Sequence, residues 1–354
     1  MQRNNVRKEK IKKLLVFGPN WIGDTIMSTP MLSSLRKAFP SVHIVMVVKP
    51  YAYDLWKWNP FVDEIWTFKA PRIYNIFAYL KLFWKIKKNQ FDLTIILPHC
   101  LRYALITFLV GIPHRVGYNV AHRGVFLTHT LEYNLSLRKK HMVDNYLDIL
   151  KAISIEPRSK DLILDIDLNS QAKAEKILED NHIHSEDLVI GIAPGAIYGE
   201  AKRWPKERYA ELADNIIGKY NAKVLIFTGV MERKLGEEIK KSMRYVPIMF
   251  NGNITLLETA ALIKRCNLFI TNDSGLMHIA ASVKTKIIAI FGSTSPDWTG
   301  PYGDGHMVIR KKIDCSPCFE RKCHLKTYIC LKSVNVKDVL ETVQIQLKKR
   351  LCVL

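Results

Sequence analysis

No stretch of about 18 uncharged apolar residues occurs in this 354-residue chain, so no membrane-spanning helix is expected. The opening MQRNNVRKEKIKK is polar and basic, and the apolar run after it lasts only four residues. No signal peptide is read there, and a cytoplasmic protein is expected. Short tandem repeats and low-complexity tracts are absent too. Acidic residues are scarce: 33 Asp and Glu stand against 53 Lys and Arg, a formal charge of +20. Such an excess calls for an anionic partner, whether nucleic acid, a membrane surface or a phosphorylated substrate. Nucleic acid is disfavoured, because the cations are spread along the chain and no base-reading module is present. Apolar content of 48% and charged content of 24% are those of a globular protein long enough for two domains.

One near-motif lacks its key residue. VFGPNWIGDT (16–25) has the glycine spacing of a phosphate-binding loop, but Asp24 stands where a lysine should reach the phosphates. A carboxylate there would repel the ligand, so the motif fails on sign. The dinucleotide fingerprint fails as well, since no G-x-G-x-x-G follows KLLVFG (13–18). The geometry survives: a strand, a turn, then a helix patterned by Met31, Leu32, Leu35 and Ala38. Thr29 and Pro30 read as its N-cap and first helical position. Asp24 therefore sits at the strand-end edge where open α/β sheets bind ligands. A helix-capping role and a chemical role both remain open on these residues.

Strand-like apolar runs recur at 13–18, 43–48, 93–98, 188–194, 223–229, 268–273 and 286–292. Helical patterns lie between them, notably at 206–220, 255–266 and 275–283. Alternation of this kind predicts a doubly wound α/β fold with parallel strands. It breaks over the polar stretch 160–187 and restarts, which predicts two Rossmann-like halves, 1–170 and 171–354. In the second half, APGAIYGEAKRWP (193–205) offers Gly195, Lys202 and Arg203 just before a helix, a composition suited to a diphosphate. TNDSGLMHIAA (271–281) places Asp273, Ser274 and Gly275 in a strand-to-helix turn, with Asp273 and Ser274 competing to cap the helix.

Three further features have competing explanations. RIYNIFAYLKLFWKIKK (72–88) sets Ile73, Ile76, Phe77, Leu80, Phe83 and Trp84 at helical spacing among Lys81, Lys85, Lys87 and Lys88. It suits either an anchor on anionic lipid or a core-packed helix with solvated lysines. Cys315, Cys318, Cys323 and Cys330 begin like a metal tetrad, but the second pair is too widely spaced; reduced cysteines in a structural loop are favoured. The D-x-D at 165–167 lies away from the candidate loops and is read as chance.

With these residues laid out, the chain resembles the heptosyltransferases of glycosyltransferase family 9, and among them the heptosyltransferase II type. The resemblance rests on VFGPNWIGDTIMS, LPHCLRYALITFLVGIPHRVGY, PGAIYGEAKRWP, ERYAELA and TNDSGLMHIAA…IIAIFGSTSPDWTGP, in family order from about residue 13 to 302. It implies the GT-B fold: two facing Rossmann-like domains with an interdomain cleft, an N-terminal acceptor half and a C-terminal nucleotide-sugar half. The terminal helix is left free to pack back on the N-terminal half. By the same resemblance the enzyme inverts, moving L-glycero-D-manno-heptose from ADP-heptose to the heptosyl-Kdo2-lipid A inner core of lipopolysaccharide. Asp24 matches the general base, Lys202 the lysine on the departing diphosphate, and Asp273, Ser274 and Gly275 the donor loop. Gly195 and Arg203 fall in the same donor region. Glu232 is the nearest candidate for a ribose-binding glutamate. Arg115 and Arg123 are candidates for acceptor carboxylates or phosphates, on charge and position. No protein-bound cofactor or metal is required, although a divalent-metal dependence is left open. The expected setting is a monomer held peripherally on the anionic inner face of the cytoplasmic membrane, without nucleic acid. The alternatives are a heptosyltransferase I or III type with another acceptor, or a non-catalytic membrane-surface or nucleic-acid-binding protein.

Overall fold

The computed structural model describes residues 6–69 and 76–351. The chain divides into two units, Met1–Asp165 and Ile166–Leu354, against the boundary at 170 read from the sequence. The first unit is built on β1 (Lys13–Phe17), β2 (His43–Val48), β3 (Glu64–Thr67), β4 (Leu93–Ile96), β5 (His114–Asn119) and β6 (His129–Glu132). They form one sheet in the order β3-β2-β1-β4-β5-β6, every pairing parallel. The second unit holds β7 (Val189–Ala193), β8 (Lys223–Thr228), β9 (Ile248–Asn251), β10 (Leu268–Asn272), β11 (Ile287–Ile290) and β12 (Met307–Ile309). Their order is β12-β11-β10-β7-β8-β9, again all parallel. The same doubly wound plan is thus used twice.

All seven strands read from the sequence are present. They are the ones whose residues are buried almost throughout, as helices on both faces demand. Strands β3, β5, β6, β9 and β12 went unread. Four of them are sheet edges, and their half-exposed residues break the apolar run that marks an inner strand.

The helices follow their local chemistry. Lys206–Tyr220 buries Tyr209, Ala210, Leu212, Ala213 and Ile216 on one face and ends at Asn221 in a left-handed conformation. Leu256–Arg265 opens with a complete capping box between Thr255 and Glu258. Asp167, half of the chance D-x-D, caps Leu168–Asp180 by accepting from the Ser170 amide. The terminal helix Val336–Leu351 buries Val336, Val339 and Val343 in the second unit's own core, beside Lys206–Tyr220.

In each sheet the chain reverses direction of winding next to the first strand laid down, between β1 and β4 and between β7 and β10. In the first unit the segment leaving the carboxyl end of β1, and in the second unit the loops leaving β7 and β10, therefore lie at the kind of edge where doubly wound sheets bind ligands. Asp24 follows β1, Lys202 follows β7 and Asp273 follows β10.

Candidate functional site

On the first unit, β1 ends at Phe17 and Gly18 passes close under β2. A Cβ on Gly18 would stand 2.9 Å from Met46 Cε, so the turn admits only glycine without displacement. The chain then enters a short helix, Ile22–Met27, with Asp24 in its first turn rather than in a loop. Ser28, not Thr29, is the N-cap of the next helix, Thr29–Ala38; the Thr29 hydroxyl instead donates to the Ile26 carbonyl at 2.8 Å. Asp24 caps neither helix, and its carboxylate accepts a hydrogen bond from the Tyr146 hydroxyl. Tyr146 lies on the helix Met142–Lys151, which packs against Ile22–Met27. Burial first, and then the Asp24 charge, pushes the Tyr146 phenol well above its ordinary range, so it stays a donor. Tyr51 is pushed up in the same way, by burial and then by Asp24.

The two candidate arginines of this unit are both engaged within the protein. Arg123 is fully buried, and its guanidinium donates to the carbonyls of Tyr118, Pro98 and Ile96. The sequence offered it as a candidate for acceptor groups; in the structure the guanidinium donates to backbone oxygens and joins the end of β4 to β5. Arg115 is half-buried, donates to the carbonyls of Phe126 and Ile112, and lies 5.5 Å from the Phe108 ring.

On the second unit most of the candidate residues form one network. Lys202 Nζ meets Asp273 Oδ2 at 2.5 Å, with the side chains only 11% and 5% exposed. Thr294 and Thr299 donate to the same oxygen at 2.7 and 3.0 Å. The ammonium also lies 4.6 Å from the Tyr198 ring centre. Beside this pair, Glu232 Oε1 accepts from the Ala196 amide at 2.8 Å and from Arg203 at 3.0 Å. Gly195 is explained by that carboxylate, since a Cβ would stand 2.1 Å from Glu232 Oε2. Asn272 ties the two loops together: its amide donates to the Pro194 carbonyl, while its oxygen accepts from the Trp204 amide and the Tyr209 hydroxyl.

Ser274 occupies the N-cap position of the helix Gly275–Ser282 but makes no side-chain cap. Its hydroxyl lies 3.1 Å from that of Thr271, and Asp273 is engaged with Lys202. Neither expected cap forms. The first amides of that helix thus carry their partial positive charge beside a buried ammonium, an arrangement matched to phosphate oxygens.

The cysteine-bearing loop braces the same region. The Ala201 amide donates to the Arg321 carbonyl, the Tyr198 hydroxyl to the Phe319 carbonyl, and the Tyr328 hydroxyl to Glu200. Cys315, Cys318, Cys323 and Cys330 are free thiols. The Tyr328 amide, donating at 3.4 Å, lowers the pKa of Cys323. Among the described residues, no group of three or more His, Cys, Asp or Glu is placed to hold a metal ion.

Sequence reasoning missed Asn272, Thr294, Thr299 and Tyr146. Asn272 carried a signal, a polar residue ending an otherwise apolar strand. The others lie far along the chain from the groups they serve.

The glycosyltransferase family 9 (heptosyltransferase) model matches residues 79–329. Lipooligosaccharide heptosyltransferase 2 of Haemophilus influenzae is 32% identical over 313 residues, covering 84% of this chain and 88% of that protein. Lipopolysaccharide heptosyltransferase 2 of Escherichia coli is 31% identical, with the same coverage. Among solved structures, E. coli ADP-heptose lps heptosyltransferase II matches with a TM-score of 0.80 at 27% identity, over 96% of this chain and 99% of that one. A family 9 glycosyltransferase from Veillonella parvula matches at 0.84 and 26%, over 96% and 98%. The two-unit α/β fold with its strand-end loops is shared with these enzymes, and the chain belongs to glycosyltransferase family 9, the heptosyltransferases.

Proposed function

We propose that this enzyme transfers L-glycero-D-manno-heptose from ADP-heptose to the heptosyl-Kdo2-lipid A inner core, by a single inverting displacement. The observation that carries the donor assignment is the buried Lys202–Asp273 pair at the uncapped start of Gly275–Ser282. As the bond from the anomeric carbon to the diphosphate oxygen breaks, its electron pair leaves with ADP. Lys202 and the helix amides then balance the charge developing on the leaving phosphate. Thr294 and Thr299 keep Asp273 hydrogen-bonded when Lys202 turns to phosphate. Arg203, Glu232 and Gly195 shape the loop that the nucleotide approaches.

Asp24 takes the proton from the acceptor hydroxyl as that oxygen attacks the anomeric carbon. Its hydrogen bond from Tyr146 orients the carboxylate without giving it a capping role. No covalent intermediate is needed, because one base and one stabilised leaving group complete the displacement. We place the enzyme as a monomer at the cytoplasmic face of an anionic membrane, where a lipid-borne acceptor is presented.

The test is extension of defined truncated core lipids by purified protein with ADP-heptose, with product mass and linkage determined. Transfer to a heptosyl-Kdo2 lipid in wild type, lost in Asp24→Asn, supports the assignment. Transfer only to a lipid lacking the first heptose, or to one already carrying two, would replace this acceptor with another.

A further inference from the structure

The helix Ile76–Asn89 is apolar on two sides. Leu82 and Ile86 are buried, with Tyr79 and Phe83 packed partly against the same core. On the other side Ile76, Phe77, Leu80 and Trp84 are 61%, 78%, 44% and 61% exposed. Residues 77, 80 and 84 recur at helical spacing and share one outward stripe. The sequence left core packing and surface anchoring as alternatives; the structure buries one face of the helix and leaves apolar side chains exposed on the other. The neighbouring helix Leu101–Val110 adds exposed Phe108 and Leu109. Soluble proteins rarely leave large apolar side chains grouped in this way.

The charge around the stripe identifies what covers it. Lys81, Lys85, Lys87 and Lys88 are all exposed on this helix, which carries no acidic residue. Lys87 lies 5.2 Å from the Trp84 ring centre and Lys85 3.9 Å from that of Trp66. Lysine stems can cover the rings while their ammonium groups reach outward. From Ile65 to Leu131 the sequence has nine Lys and Arg and one acid, Asp92, and just outside that window Glu64 lies near enough to Lys85 for their charges to interact. Aromatic and aliphatic side chains ringed by cations of one sign fit the headgroup boundary of an anionic bilayer.

We propose that Phe77, Leu80 and Trp84 insert into the headgroup region of an anionic membrane, with Lys81, Lys85, Lys87 and Lys88 on its phosphates. The proposal deepens the membrane location above and rests on that reading for why a bilayer is present, but its test does not use transfer. Full-length protein is floated with vesicles of phosphatidylcholine alone or mixed with phosphatidylglycerol, at low and high salt. Binding is expected only with the anionic lipid and should fall sharply with salt. Exchanging the four lysines for Gln should weaken it on the order of 100-fold or more. The Phe77→Ser/Trp84→Ser variant should weaken it by roughly 10- to 100-fold. Both variants alter only exposed positions and should unfold at the wild-type denaturant midpoint. Bromine-labelled lipid should quench tryptophan emission in wild type, and Trp84→Phe should lose most of that quenching while still floating. Equal binding to neutral vesicles, undiminished binding by the variants, or quenching unchanged in Trp84→Phe would overturn the proposal. So would a dimer in solution that Phe77→Ser/Trp84→Ser dissolves, since the stripe would then be a contact between copies. Failure of the transfer assay would leave these outcomes as they are.

Discussion

The two units share one sheet plan but differ in how they treat charge. The first holds 25 Lys and Arg against 12 Asp and Glu; the second holds 28 against 21. At the second unit's winding reversal, charges answer one another at close range: Lys202 with Asp273 and Arg203 with Glu232, tied together by Asn272. At the first unit's reversal one half-buried carboxylate is held by a tyrosine, and the excess cations lie on the surface with exposed aromatics. On the proposed reading, a closed network of opposite charges would meet a small anion with fixed geometry. On the same reading, an oriented carboxylate beside a large, one-signed surface suits a bulky acceptor carried on lipid.

The largest effect should come from Asp24. Asp24→Asn keeps the shape and the Tyr146 contact but removes the proposed base, so kcat should fall by about 100- to 10,000-fold. Calorimetric binding of ADP should be unchanged, because the proposal assigns ADP to the other unit. Near-normal turnover would dissolve the functional contrast between the units. Tyr146→Phe removes only the orienting hydrogen bond and should lower kcat by roughly tenfold, with little change in donor KM.

Lys202→Ala should come next. Loss of a charge-assisted contact to phosphate should weaken ADP binding by roughly 10- to 100-fold. It also strands buried Asp273, so the denaturant midpoint should drop, by the equivalent of about 3 kcal/mol. Unchanged ADP affinity with weakened acceptor affinity would exchange the roles of the two units.

Gly195→Ala tests how tightly the second network is closed. The added methyl collides with Glu232, and strain of this kind typically costs about 1–3 kcal/mol. ADP affinity should fall with stability, and Glu232→Ala in the same chain should recover part of the stability by removing the collision. No recovery would place the strain elsewhere.

The smallest effect is a pH dependence common to both units. Burial, helped by Arg123, pushes His99 down to about 4; burial and then Lys286 do the same to His306. Between the ordinary value of 6.5 and about 4 the unfolded chain binds more protons than the folded one. Stability is therefore full above 6.5 and falls as pH drops through that window. After solvent screening each histidine contributes roughly 1 kcal/mol or less. Urea midpoints should decline on acidification, and His99→Asn and His306→Asn should each flatten the decline. A steeper decline in either variant would reverse the sign argued here.

The sequence by itself determined the two α/β halves, because inner strands covered on both faces must be continuous apolar runs, as in HIVMVV and LFITN. It also marked the loops after β1, β7 and β10, through a carboxylate that spoils a phosphate-loop spacing and through Lys202, Arg203 and Asp273 at strand ends. Edge strands such as Glu64–Thr67 stayed illegible because solvent on one side erases the run. Only the tertiary structure decided partnerships. Lys202 and Asp273 are 71 positions apart and meet because β7 lies parallel beside β10. Gly195 faces Glu232 for a similar reason, as β7 pairs with β8 and the loops leave on the same edge. Arg123, a candidate acceptor contact on charge alone, is buried against three carbonyls, and Ile76–Asn89 packs one apolar face while exposing another. Composition and spacing register which groups a chain owns and how far apart they lie along it. Which charge neutralises which, and which apolar face remains uncovered, depends on the parallel register that brings distant segments side by side.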